Sequence, residues 1–267
     1  NVSMGIWSLS FNSTGSSNTA IGTSAAAQNT TGSHNVALGL GALVSNKANS
    51  RSTAVGNYAM LNADNRTSGI ETFNTAVGYE ALRGSDSAPD NTGIANVAIG
   101  DQSMLSNTSG SYNTAVGRTS LKSNTTGESN TAFGNAALYK NETGTGNTGV
   151  GKNSLYENLG SGNSAFGIAS LQMNTTGDNN TAVGKEALKF NTTGINNTAS
   201  GVESLTINTT GNYNTAYGAI SLHNNIMGSA NTAVGEGASF QNTTGDQNVA
   251  IGSGALYSNQ GNHRSTA

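Results

Sequence analysis

A pentapeptide of the form Asn-Thr-Ala-Val-Gly recurs along the whole chain, and its spacing leaves room only for a repeat architecture. Copies begin at residues 1, 18, 35, 52, 74, 96, 113, 130, 147, 163, 180, 197, 214, 231 and 248, with a partial sixteenth copy at Ser265. Twelve of the intervals are 17 residues, two are 22 and one is 16, so the pattern accounts for all 267 residues. Nothing is left over for a linker or a second domain. The chain reads as a single repeat array, 1–267. Because it opens on the first position of a unit and stops on the third, it is expected to be a segment of a longer fibre protein.

The positions of the unit are numbered here as columns 1 to 17, and Asn113–Ser129 is a clean example: NTAVGRTSLKSNTTGES. Columns 1 to 4 carry β-branched and small residues that alternate between two faces, which predicts a short strand. Column 5 is Gly in every complete unit after the first at Gly22, Gly39, Gly56, Gly78, Gly100, Gly117, Gly134, Gly151, Gly167, Gly184, Gly201, Gly218, Gly235 and Gly252. Such constancy points to a backbone conformation, or a close approach, that a Cβ would forbid. The Ala/Ser-Leu pair at columns 8 and 9 predicts a second short strand or a bend. Asn-Thr-Thr-Gly at columns 12 to 15 is turn chemistry, with Asn bonding local backbone and Gly expected at positive φ. Helices are excluded, because Gly and Asn recur too often to leave a window that could nucleate one.

Each unit is therefore predicted to form one coil of an all-β solenoid, a parallel β-roll of about fifteen coils. At about 4.8 Å per coil the array would be roughly 70 Å long. Stacking places like on like: an Asn ladder at column 1, an Ala row at column 3, a Val/Ile row at column 4 and a Leu row at column 9. Amides in register can bond their copies on either side. Two bulky residues per coil, at columns 4 and 9, are expected to fill a narrow tube, and the sequence leaves open which row faces inward and which faces a partner chain.

Composition enters as a consequence of the unit. Thirty-nine Asn and 36 Gly are its column residues, and charged side chains are 9% against about 25% in an ordinary domain. With 11 Lys+Arg and a net charge of −3, the chain cannot neutralise a phosphate backbone, so nucleic acid is excluded as a partner. The charge is also too low for a disordered polyelectrolyte. No apolar run approaches the roughly 20 residues that span a bilayer, so no membrane insertion is expected of this segment. The absence of Cys removes disulfides and thiolate metal sites.

No constellation for catalysis stands out. His34, His223 and His263 fall in variable columns, and the Gly177-Asp178 and Gly245-Asp246 pairs are weak echoes of a calcium-binding repeat. No catalytic residue, metal or cofactor is expected, and the chain is read as not being an enzyme. The two 22-residue units are the best candidates for ligand binding, since function often sits in loops carried by a rigid scaffold. Their excess lies in 62–73 and 84–95, which should stack side by side. They carry Asp64, Arg66, Glu71, Phe73, Asp86 and Asp90, together with the single proline, Pro89. Inert insertion is the competing reading, because added loop length costs little. A glycan-cleaving tail-spike-like enzyme would need paired carboxylates, and these acids are the ones available for it. Tyr139, Tyr156 and Tyr257 share column 10, and Tyr112 and Tyr213 share column 17, so an aromatic stripe could stack on sugars or pack within an oligomer. Sequons such as Asn124-Thr125-Thr126 arise automatically from the turn. Rows of Thr at columns 2 and 13–14 make an ice-binding solenoid the remaining alternative.

The Asn-Thr-Ala-Val-Gly strand followed by Ala-Leu and Asn-Thr-Thr-Gly resembles the YadA-like head repeats of trimeric autotransporter adhesins. It is still more similar to the NTAVG-type repeats of phage tail fibres and large bacterial surface proteins. The resemblance covers the whole chain, although the unit is longer than that of the adhesin heads. It implies a left-handed parallel β-roll, three chains associated as a homotrimer, and an extracellular structural or adhesive role on a virion tail fibre or a bacterial surface. The partners it implies are further copies of the chain and a host-cell surface glycan or protein receptor.

Overall fold

The computed structural model describes residues 1–267, which fall into two compact units, Asn1–Asn135 and Ala136–Ala267. Each is a parallel β-solenoid. The first unit carries β1 (Val2–Met4), β2 (Thr19–Ile21), β3 (Val36–Leu38), β4 (Thr53–Val55), β5 (Thr75–Val77), β6 (Val97–Ile99), β7 (Thr114–Val116) and β8 (Thr131–Phe133). A single 3-10 turn, Ala88–Asp90, interrupts them. The second unit carries β9 (Thr148–Val150), β10 (Ser164–Phe166), β11 (Thr181–Val183), β12 (Thr198–Ser200), β13 (Thr215–Tyr217), β14 (Thr232–Val234) and β15 (Val249–Ile251). Within each unit every strand pairs in parallel with the next, column on column: Thr114 faces Thr131, and Thr181 faces Thr198. The predicted all-β solenoid is observed, with strands over columns 2 to 4.

Column 3 points inward and is sealed: Ala20, Ala115, Ala182 and Ala233 have no exposed surface. Columns 2 and 4 then face outward, because side chains alternate along a strand. This corrects the expected filling of the tube. Phe133 and Phe166 of column 4 are 44% and 43% exposed, whereas Leu121 and Leu171 of column 9 are 0% exposed. In most coils one bulky apolar residue fills the interior instead of two, and Ala26 and Ser239 take the column-9 place in two others. The remaining space belongs to asparagine. Column 1 and column 12 both form buried ladders, so the interior is an apolar Leu-Ala strip flanked by two rows of amides.

The column-1 ladder ties coils through the backbone. The Asn180 N–H donates to Asn163 Oδ1 at 2.9 Å, and the Asn197 N–H donates to Asn180 Oδ1 at 3.0 Å. The Asn180 amide in turn donates to the Gly194 carbonyl at 2.8 Å. The column-12 ladder joins side chain to side chain: Asn191 Nδ2 donates to Asn174 Oδ1 at 2.7 Å and to the Gly194 carbonyl at 2.9 Å. Burying a primary amide is costly unless its partners are met, and register supplies them.

The segment after column 5 is a turn with no strand. Columns 7 and 9 are left-handed even where they are not Gly, as at Glu186 (φ 59) and Leu188 (φ 51). These flips send hydrogen bonds both ways. The Glu186 N–H donates back to the Ile168 carbonyl at 2.9 Å, and the Leu188 N–H donates forward to the Ser204 carbonyl at 3.0 Å. A left-handed residue costs about 1–2 kcal/mol, and burying a leucine recovers about 1.5–3 kcal/mol. The Leu of column 9 is thereby held in an unfavourable backbone state by its own burial.

The two glycine columns differ. Column 5 combines positive φ, +125 to +142, with close contact against the next coil at every position but Gly252. Column 15 corrects the expectation of positive φ: Gly177 is not left-handed, but a Cβ there would stand 2.5 Å from Asn174 Oδ1 and against the Gly194 carbonyl oxygen. That glycine is required by the ladder amide turning back onto its carbonyl. Left-handed φ in this region falls instead at column 17, as at Ser129 (φ 57) and Asn179 (φ 56).

Candidate binding surfaces

The outward strand face is a regular surface that repeats from coil to coil. In the first unit it presents Ile21, Val77, Ile99 and Phe133 as an exposed apolar row at column 4, and in the second unit Phe166, Val183, Tyr217, Val234 and Ile251. Beside it runs column 2, Thr in most coils and half-buried, as at Thr114, Thr131, Thr181 and Thr232. Exposed apolar residues at column 6, such as Leu40 and Tyr79 in the first unit and Ile168 and Val202 in the second, widen the row. The Thr row of column 13 is spent on structure: Thr175 and Thr192 hydroxyls each donate to a carbonyl of the next coil at 2.9 Å.

The two long loops lie in the first unit and touch. Asn91 Nδ2 donates to the Asn62 carbonyl at 2.6 Å and to the Ser85 carbonyl at 3.0 Å, so one side chain of the second loop holds both. Asp64 is buried, 3% exposed, and accepts from Arg66 Nε at 2.9 Å and Nη2 at 2.6 Å. Burial pushes the Asp64 carboxyl up, but the Arg66 hydrogen bonds and charge outweigh it and hold the group below its ordinary value. Glu71 pairs with Arg51 at 2.9 Å, and the Arg51 guanidinium also lies over the Phe73 ring at 5.5 Å. Asp86 pairs with Arg83 at 2.9 Å. Asp90 is exposed at the end of the 3-10 turn. Three of the four acids singled out in the sequence are therefore held by arginines. Of those arginines only Arg66 stood out beforehand. Arg51 and Phe73 are both the last residue of successive units, and that shared position is the signal that brings them together.

The aromatic residues of column 10 stack on one another. Tyr139 and Tyr156 are 4.9 Å apart and 7° from parallel, and His223, Phe240 and Tyr257 form a continuous stack with spacings of 5.2 and 5.0 Å. Phe240 is stacked on both faces, and each of the other rings has one face against its neighbour. Tyr112 and Tyr213 of column 17 stand exposed. Asp178 and Asp246 accept backbone N–H groups of the preceding coil, from Ser161 and Ser229, each at 2.7 Å. His263 lies 3.4 Å from Asp246, and His223 lies 3.8 Å from Glu203. No three His, Cys, Asp or Glu side chains come together as metal ligands. The sequon residues Asn124 and Asn191 are fully buried ladder rungs.

No protein-family model matches the chain, and no curated protein matches it.

Proposed function

We propose that the chain is a structural and adhesive fibre segment, homotrimeric in use, that spaces or displays a receptor-binding surface outside the cell, on a phage tail fibre or a bacterial surface. The observation that carries this reading is the exposed apolar row at column 4. A periodic row of large apolar side chains on a water-facing sheet favours a covering partner. A partner that matches the row rung for rung must share its period, and a second copy of this chain does. In that reading the coils wind left-handed, as the resemblance to adhesin heads and tail-fibre repeats implies, and column 4 with column 6 faces the other two chains.

The loops 62–73 and 84–95 then form the displayed surface. Arg66, Thr67, Ser68, Ile70 and Glu71 are exposed on one, and Asp86, Pro89 and Asp90 on the other. Binding is tested on glycan arrays and on whole cells, with the intact chain compared with one whose two long units are shortened to 17 residues. The reading expects the shortened chain to keep its oligomeric mass and lose binding. Unchanged binding contradicts the role of the loops.

A further inference from the structure

Both amide ladders of the first unit break in the same coil. Column 1 there holds Ser52 and column 12 holds Ala63, and column 12 of the following coil is Ser85. Asn29 donates twice, to the Gly32 carbonyl at 2.9 Å and to Asn12 Oδ1 at 2.8 Å, and Asn124 does the same with the Gly127 carbonyl and Asn107 Oδ1. Asn46 keeps both donor bonds, to the Asn49 carbonyl and to Asn29 Oδ1, each at 3.0 Å. With Ala63 as its neighbour, the fully buried Asn46 Oδ1 accepts from no protein group. Past the gap, Asn107 donates to the Gly110 carbonyl at 2.9 Å but has no column-12 amide in the preceding coil to bond.

The space of the missing side chains is a cavity of about 30 Å³ lined by Asn46, Ser52, Ala63, Thr72, Asn74 and Asn107. A site needs about 10–15 Å³ by this measure, and two to four polar partners, to hold a water molecule. We propose that this cavity is a binding site for two water molecules that replace the missing ladder amides, one of them donating to Asn46 Oδ1. The hydroxyls of Ser52 and Thr72, bonded to each other at 2.6 Å, supply further partners. An apolar cavity of this size would stay dry, whereas this one sets the amides of Asn46, Asn74 and Asn107 and the hydroxyls of Ser52 and Thr72 beside Met60 and Leu82. A cation is disfavoured, because the one carboxylate on the wall, Asp64, is neutralised by Arg66. The waters complete the polar interior under the two adjacent coils from which the long loops depart.

The test is a crystal structure of the full chain at a resolution that shows ordered solvent, together with melting curves of two variants. Two density peaks at hydrogen-bond distance from Asn46 Oδ1 and from the Ser52–Thr72 pair are expected. Ala63→Asn should restore the rung, displace the water on Asn46 Oδ1 and raise Tm by about 2–4 °C. Ala63→Leu fills the same volume with no donor and should lower Tm. A dry cavity, peaks with the short multiple oxygen contacts of a metal ion, or an Ala63→Leu variant as stable as Ala63→Asn would each overturn the proposal.

Discussion

Gly117 lies so close to Gly134 of the next coil that a Cβ on Gly117 would stand 2.6 Å from the Gly134 carbonyl carbon. Its φ of +135 is also closed to L side chains. Gly117→Val is therefore expected to cost on the order of 3 kcal/mol or more and to loosen the pairing of β7 with β8. Thermal melting and amide exchange at Thr114–Val116 check it, and a neutral variant would refute the steric account. Gly252 separates the two causes: its φ is +125, but a Cβ there meets nothing within 4 Å. Gly252→Ala should retain only the backbone penalty, about 1–3 kcal/mol, and be the milder change.

Asn180 serves the Asn197 N–H and the Gly194 carbonyl at once. Asn180→Ala leaves the Asn197 N–H without its partner in a buried place, at about 1–3 kcal/mol, while the Gly194 carbonyl keeps the bond from Asn191. Thr176→Ala, exposed in the neighbouring turn, should lie within about 0.5 kcal/mol of the parent. Denaturant melts of the two variants compare them directly. Equal stabilities would mean that the ladder contributes nothing.

What was legible in the sequence follows the same division. Gly117 and Asn113 could be read because identical units stack like on like, so a residue present in every unit must suit contact with its own copy. The side of the sheet could not be read. Val116 and Leu121 are each the one large apolar residue of their stretch, and alternation relates columns 2, 3 and 4 without saying which face is inside. Asparagine decides it, since a ladder of self-satisfied amides takes interior space that apolar bookkeeping assigned to column 4. The loops were legible as insertions but not in their pairings. Arg51–Glu71 and Asn91–Asn62 join residues that the extra length displaces from register, and Asp64 gave no sign that it would be buried.

The Asp64–Arg66 pair makes the loop acid-sensitive. The folded carboxyl sits below its ordinary value of 3.8, so the stability it contributes is present above that value and is lost as pH falls through the lower folded value. Amide exchange over 62–73 should rise as pH drops below about 3.8, while exchange at β11 should not show the same step. In Asp64→Asn the step should vanish and the loop should be open at neutral pH as well. A step that persists in Asp64→Asn would assign it to another group.

Val183, at column 4 and 42% exposed, contributes little to the interior of its own chain. Val183→Lys is expected to leave the circular dichroism spectrum unchanged and to weaken self-association, because a charge is costly to bury between copies. Loss of the β spectrum would place Val183 in the fold itself, and unchanged association would remove it from the interface.

The mass of the chain in solution, measured by multi-angle light scattering across a range of concentrations, bears most directly on the claim that the outward apolar row is covered by copies of the same chain. The account predicts three times 26.8 kDa, reduced in Val183→Lys. A stable, well-folded species at 26.8 kDa with column 4 open to water would contradict it.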